Sequence, residues 1–364
     1  MAIEGIPSEM LAVQVVEFNQ PYKIHKVPTP PALKEYEILL KTVVASLCHT
    51  DFMVLEGKFP TQLPCTASHE GTGIVKAVGS KVNNFKVGDR VMSGVPKNAC
   101  GKCYNCTGPN DWHQYCPNLE GHIGVFTNGA FAEYHVVDSR TSCHIPDQVS
   151  FASAAPLACA GCTIYRALMV SSVKGGEWLA IVGAGGGLGH LGIQFAQAKG
   201  INVVAIDARD EALALCKEVG AKHIFDARDG QEKVVERVQA LTDGLGVHAA
   251  INVSDHPTAA DTACAVTRMH GTMVQAAQPD RVSVAFQELV FRDIRIKGTL
   301  IAGQDYSQQM LNDAAKHNIK VETNLFYGLD AVPKMLELAH SGKMQGKAVC
   351  VVDQAEFERD TATV

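Results

Sequence analysis

Cys100, Cys103, Cys106 and Cys116 stand close together in a stretch rich in Gly, Asn and Lys. Two residues separate each of the first three, and nine lie between Cys106 and Cys116. Thiolates so spaced can converge on one tetrahedral zinc, and a closed set of four leaves no position for a substrate. A packed core would not draw on so polar a stretch, and a disulfide framework belongs to small secreted chains. The cluster points to metal before it points to chemistry. His113 falls inside the wide gap as a conceivable substitute for Cys116.

A second pattern points to a phosphate. Gly183, Gly185, Gly186, Gly187 and Gly189 enclose Ala184 and Leu188 between an apolar run ending at Val182 and a helical stretch starting near His190. Glycines let a strand-to-helix turn approach a pyrophosphate, whose charge the helix N-terminus then stabilises. Leu188 breaks the strict G-x-G-x-x-G spacing, so Gly183, Gly186 and Gly189 give G-x-x-G-x-x-G instead. Asp207 ends the next apolar run, eighteen residues after Gly189. A carboxylate there accepts hydrogen bonds from ribose hydroxyls and repels a 2′-phosphate, which favours NAD over NADP. Arg209 is the competing phosphate partner.

Cys48-His49-Thr50-Asp51, His69-Glu70 and Cys159 supply a third set of candidates. A catalytic zinc needs three protein ligands and one open position, and two cysteines with a histidine are a known combination. Each residue alone reads more readily as packed core, and their spacing does not join them.

The elements that must carry these groups follow from periodicity. Up to about Val149, runs such as EILLKTVVAS, GTGIVKAVG, DRVMSGV and AFAEYHVV predict a β-rich, barrel-like region with loops between them. From about Phe151 the runs Trp178–Val182, Ile201–Asp207, His223–Phe225, Val247–Val253, Gly271–Ala277 and Ile294–Leu300 alternate with amphipathic stretches. That is an α/β pattern, a doubly wound parallel sheet. Helical stretches near Gln308–Lys316 and Ala331–His340 precede a final strand, AVCVV.

The chain has 364 residues, 46% hydrophobic, with a formal charge of −6. This is two domains' worth of globular sequence, with no basic surface for nucleic acid or an anionic membrane. The opening MAIEGIPSEM resembles no targeting segment, and no apolar stretch is expected to span a membrane. Twelve cysteines then read as reduced thiols and metal ligands in a cytoplasmic setting. Those outside the candidate sites, Cys65, Cys143, Cys162, Cys216, Cys264 and Cys350, are expected in the core.

Ser68-His69-Glu70-Gly71-Thr72-Gly73, with Gly79 and Val82, resembles the G-H-E-x-x-G-x5-G-x2-V signature of the zinc-dependent medium-chain alcohol dehydrogenases. Cys48-His49-Thr50-Asp51, Val87–Val91, the four-cysteine cluster, Cys159–Thr163 and the glycine turn follow in that family's order. The resemblance covers nearly the whole chain and is nearest the yeast and fungal branch.

It implies a GroES-like catalytic domain of residues 1–160 and 301–364 and a Rossmann domain of residues 161–300. It implies two zinc ions per chain. Cys48, His69 and Cys159 would hold the catalytic one, with Glu70 an occasional alternative ligand; Cys100, Cys103, Cys106 and Cys116 would hold the structural one. Asp51 would orient His69, and Thr50 would hydrogen-bond the substrate oxygen. His49, Thr163, the glycine turn with Leu188, Asp207 and Lys347 would bind the cofactor. Lys347 stands where relatives often place an arginine. The implied reaction interconverts a small-molecule alcohol and its aldehyde or ketone with NAD(H), in a homo-oligomer, a tetramer before a dimer.

Met53 stands where many relatives carry a proton-relay histidine, which leaves room for an enzyme that chiefly reduces carbonyls. The alternatives are reduction of an activated C=C bond on the same fold and a non-catalytic zinc- and nucleotide-binding regulatory protein. Around Phe59 and Val95 the sequence is less aromatic than in ethanol-specific relatives, which predicts room for a larger substrate.

Overall fold

The computed structural model describes residues 5–110 and 112–362, so the first four residues of the opening segment lie outside it. The chain forms two compact units, one of Met1–Cys159, Ala302–Ala315 and Val321–Val364, the other of Ala160–Ile301 and Lys316–Lys320.

The first unit is β-rich. Its largest sheet runs Cys143–His144, Arg90–Met92, Glu70–Val78, Glu37–Ser46, Lys347–Val351, Thr323–Tyr327, with Tyr134–Asp138 also pairing Glu37–Ser46. Glu37–Ser46 is central because its EILLKTVVAS run is buried along almost its whole length. A strand covered on both faces needs such a continuous run. The C-terminal strand lies antiparallel to it, with Val349 opposite Ser46 and Val351 opposite Val44. The chain end thus returns to the first unit. Leu47, Val54, Ala67, Phe131, Val332, Met335 and Cys350 pack as one apolar cluster of this unit.

Two buried hydroxyls in this sheet are satisfied by one imidazole. His135 bonds Thr42 Oγ1 through Nδ1 at 2.8 Å and Ser93 Oγ through Nε2 at 2.7 Å. Burial pushes its pKa from the usual 6.5 down to about 3. Between those values the unfolded chain binds the extra proton, so stability is expected to fall as pH drops below 6.5. At a pH of about 5.5 the loss from this group is about 1.4 kcal/mol. Thermal melts of wild type and His135→Gln across this range check it: the variant should lose less stability on acidification, and parallel slopes would contradict the assignment.

The second unit carries six parallel strands in the order His223–Asp226, Asn202–Asp207, Trp178–Val182, Val247–Asn252, Thr267–Gln275, Arg295–Gly298. In chain order this is 3-2-1-4-5-6, the doubly wound dinucleotide-binding arrangement. The α/β expectation therefore holds, strand for strand. The helix Ala259–Val266 has no counterpart in the periodicity, because seven of its residues are buried and no polar face marks a helical repeat.

The helical run Phe151–Ser171 is long and apolar enough to cross a membrane by composition, but 78% of its window is buried inside the protein. Such burial is what the core helix of a globular protein shows. Cys65, Cys143, Cys162, Cys216, Cys264 and Cys350 are all buried, as expected. Burial pushes the Cys65, Cys216, Cys264 and Cys350 thiols up to about 12, which makes them inert.

Candidate functional site

The central strand Glu37–Ser46 delivers Cys48 in extended geometry (φ −119°, ψ 159°), just before the short helix His49–Leu55. Asp51, in the first turn of that helix, is fully buried. One carboxylate oxygen accepts the Cys48 N–H at 2.8 Å and the other accepts the Ser68 N–H at 2.9 Å. A single carboxylate thereby ties together the two loops that present Cys48 and His69. Burial raises the Asp51 pKa, while the His69 imidazole and the two N–H bonds oppose that rise. Asp51 bears on His69 through the preceding peptide, since His69 Nδ1 is buried without a hydrogen-bond partner among the described residues.

Ser68 has φ +70°, a left-handed conformation. Glycine adopts it freely, whereas an L-residue pays about 1–2 kcal/mol. This accounts for the glycine that the family signature carries there. Ser68 offsets the strain by donating its hydroxyl to the Ser46 carbonyl at 2.9 Å.

Cys159 arrives from the opposite direction, on a π-helical turn, Leu157–Gly161, that follows Pro156. π-turns inside helices re-aim side chains and recur at functional sites. The donor atoms of Cys48, His69, Glu70 and Cys159 all lie within 4.8 Å of one another. A hydrogen bond with Cys159 draws the Cys48 thiol well below its usual range against the cost of burial, and Lys347 and His69 add to the effect. Burial alone would discharge His69, yet Cys48, Asp51 and Glu70 outweigh it and raise its pKa to about 9. The cluster is a buried nest of acidic donors that draws in positive charge. Two thiols, an imidazole and a carboxylate, with His69 Nδ1 left orphaned, fit a zinc ion.

Lys347 adds a partner that no local pattern indicates. It opens the C-terminal strand, is buried, and places Nζ 2.7 Å from one Glu70 oxygen and 3.0 Å from the other. Burial would lower its pKa, but Glu70, Cys48 and Cys159 together raise it. Glu70 and Lys347 lie 277 residues apart, so only the antiparallel return of the chain end joins them.

The four-cysteine cluster also forms, with every sulfur within 4.8 Å of the others. Cys103 Sγ is 3.5 Å from Cys106 Sγ and 3.8 Å from Cys116 Sγ. Cys116 Sγ further accepts the Cys100 N–H at 3.4 Å. The N–H groups of Lys102 and Cys103 help pull the Cys100 thiol down to about 6. Cys116 completes the set. His113 instead opens a 3-10 turn whose carbonyl accepts the Cys116 N–H at 3.0 Å.

In the second unit the glycine turn joins Trp178–Val182 to the helix Gly189–Ala198, which begins at Leu188 with no side-chain cap. Gly183 has φ +87°, and a Cβ on Gly185 would lie 2.0 Å from the Ala212 carbonyl oxygen. These two glycines are therefore fixed by the turn itself. A Cβ on Gly186 would meet only the Gly183 carbonyl oxygen at 3.4 Å, so its outer side is open. The uncapped N–H groups fit a pyrophosphate. Asp207 is half-buried at the end of its strand and accepts N–H groups from Gly185 at 2.9 Å and Ala208 at 2.8 Å. Thr163 is buried in the helix Cys162–Ser171. In the first unit His49 is exposed, and Thr50 places Oγ1 3.9 Å from Cys48 Sγ.

A doubly wound sheet in one unit and two thiolate-rich donor sets in the other, β-rich unit define a zinc-binding dehydrogenase architecture. Comparison with known proteins agrees. The alcohol dehydrogenase GroES-like domain matches residues 34–147, and the zinc-binding dehydrogenase family matches residues 187–316. An alcohol dehydrogenase of Geobacillus stearothermophilus is 36% identical over 350 residues, 93% of this chain and 98% of its own length. One from Schizosaccharomyces pombe is 32% identical, covering 94% and 98%. The solved alcohol dehydrogenase of Aeropyrum pernix superposes with a TM-score of 0.84 at 27% identity, covering 94% of this chain and 99% of that one. The chain belongs to the zinc-dependent medium-chain alcohol dehydrogenase family. Similarity at this level reaches both bacterial and fungal proteins.

Proposed function

We propose that this chain is an NAD-dependent alcohol dehydrogenase, with zinc held by Cys48, His69 and Cys159 and a fourth position left for the substrate oxygen. The observation that carries the reading is the convergence of these three donors with Glu70, while Lys347 holds Glu70 in an ion pair. Cys100, Cys103, Cys106 and Cys116 hold a second, closed zinc. The first unit is the catalytic domain and the second the cofactor domain.

When bound, zinc supplies Lewis acidity toward an alcohol or carbonyl oxygen, and nicotinamide accepts or returns the hydride. The chain's own groups set the geometry. Thr50 hydrogen-bonds the substrate oxygen beside Cys48, and Asp51 fixes the two ligand loops. In the second unit Thr163 and the N–H groups at the helix start, around Gly187, Leu188 and Gly189, hold the dinucleotide. Any cofactor phosphate reaching Lys347 shares its ammonium with Glu70. Met53, half-buried on the Cys48 helix, cannot relay a proton, so the proton released in alcohol oxidation or taken up in carbonyl reduction travels by another route.

Asp207 supports NAD over NADP, because a 2′-phosphate would meet a fixed carboxylate. Asp207→Ser is expected to lower the ratio of kcat/KM for NAD to that for NADP by about 10–100-fold, the worth of a charged hydrogen bond. Equal use of both cofactors by the wild type would remove the basis for this role.

Ile296 on the edge strand Arg295–Gly298 and Phe286, Val290 and Phe291 in and after the helix that precedes it are exposed, apolar surface that suits a homo-oligomer, a tetramer before a dimer. Thiolate ligands suit a reducing, cytoplasmic compartment. Nicotinamide absorbance with primary, secondary, aromatic and polyhydroxy alcohols and their carbonyls, in both cofactors, tests the reading. Turnover of enals alone would instead favour C=C reduction.

A further inference from the structure

His122 stands where an apolar wall meets the ligand loop. It lies in the two-residue strand Gly121–His122, opposite Pro96, and the next residue, Ile123, donates its N–H to the Val95 carbonyl at 3.0 Å. The following turn presses on the peptide that precedes His69: a Cβ on Gly124 would lie 2.4 Å from the Ser68 carbonyl carbon. The Phe126 ring centre is 6.2 Å from that of His122 and 6.1 Å from that of Phe59. Phe59, Phe126, His122 and Val95 are thus neighbours along one surface of the first unit.

An aromatic or aliphatic side chain would finish such a wall without cost. Instead the position carries an imidazole whose Nε2 is buried and has no hydrogen-bond partner among the described residues. Leaving a buried polar atom unsatisfied costs about 1–3 kcal/mol. Burial, with the His69 imidazole nearby, lowers the pKa to about 4, so the ring is neutral and can donate or accept. Among the described residues no acidic side chain pairs with it, so no structural ion pair explains the choice.

We propose that His122 is a specificity-determining residue whose Nε2 hydrogen-bonds a second oxygen on the substrate, so that the enzyme prefers diols and hydroxy-carbonyls to plain alkanols and their carbonyls. The inference rests on the dehydrogenase reading above. A substrate oxygen supplies the missing partner. A plain alkanol leaves Nε2 unpaired, which penalises it relative to a matched diol.

Steady-state rates with propan-1-ol and propane-1,3-diol test the proposal in wild type, His122→Leu and His122→Gln. Wild type should favour the diol in kcat/KM by about tenfold, the worth of one well-placed hydrogen bond. His122→Leu should erase that preference, chiefly through the KM of the diol, and leave propan-1-ol turnover nearly unchanged. His122→Gln, which keeps a polar group, should restore most of it. A wild type that favours the alkanol overturns the proposal whatever the variants do. An unchanged ratio in His122→Leu also overturns it, and means that ordered water satisfies Nε2. Turnover on the wider panel of alcohols and carbonyls but with neither of these two overturns this inference alone; absence of turnover across that whole panel overturns the dehydrogenase reading, and this inference with it.

Discussion

Cys159→Ala is expected to lower kcat/KM for any alcohol by about a thousandfold or more, because a Lewis acid contributes several kcal/mol to such a reaction. It should also reduce the bound zinc from two ions per chain to one. Cys159 is the most informative of the three donors to remove. It is only half-buried, whereas Cys48 is buried at the start of its helix. Truncation at 159 therefore disturbs packing least, and the loss can be assigned to the metal. Zinc analysis beside kcat/KM, with circular dichroism to confirm the fold, checks the expectation. Full activity with one zinc per chain would contradict it.

The second large effect belongs to the closed cluster. Cys103 touches two of the other three sulfurs and begins the short helix Tyr104–Thr107. Across residues 98–120 the buried side chains described are few, chiefly Ala99, Gln114 and Cys116, so apolar packing supplies little to fix the loop. Structural zinc sites contribute apparent binding energies of about 10–16 kcal/mol in small zinc-dependent folds. Cys103→Ala is expected to shed one zinc, open the loop to proteases and speed thermal inactivation by about tenfold or more. Activity at low temperature should survive, because the catalytic donors lie on other elements. Immediate loss of all turnover in a folded variant would show that the two metal sites are not separable in this way.

These two clusters differ in how far the sequence reveals them. The closed set is legible because all four cysteines come from one short segment, and spacing alone joins them. Cys48, His69 and Cys159 come from a strand end, a strained left-handed turn and a π-helical turn. No periodicity links such elements, and only the family resemblance brings them together. The Rossmann strands are legible because buried parallel strands are continuous apolar runs, and all six fall where those runs lie. The helix Ala259–Val266 is not, since burial on every side leaves no amphipathic contrast. The Glu70–Lys347 pair depends on the return of the C-terminal strand, which the sequence suggests only as a terminal apolar run. His122 carries no signal in sequence, because its interest lies in an orphaned nitrogen that only the packed wall makes visible.

Hydride transfer is the claim on which the rest depends. Wild-type protein with bound zinc, incubated with NAD and an alcohol deuterated at the carbinol carbon, tests it in one mass measurement. Mass spectrometry of the cofactor should find one deuterium on the reduced nicotinamide and an equal amount of aldehyde or ketone, and Cys159→Ala should yield neither. Carbonyl product formed without deuterium on the nicotinamide, or the same transfer from Cys159→Ala, would contradict the account.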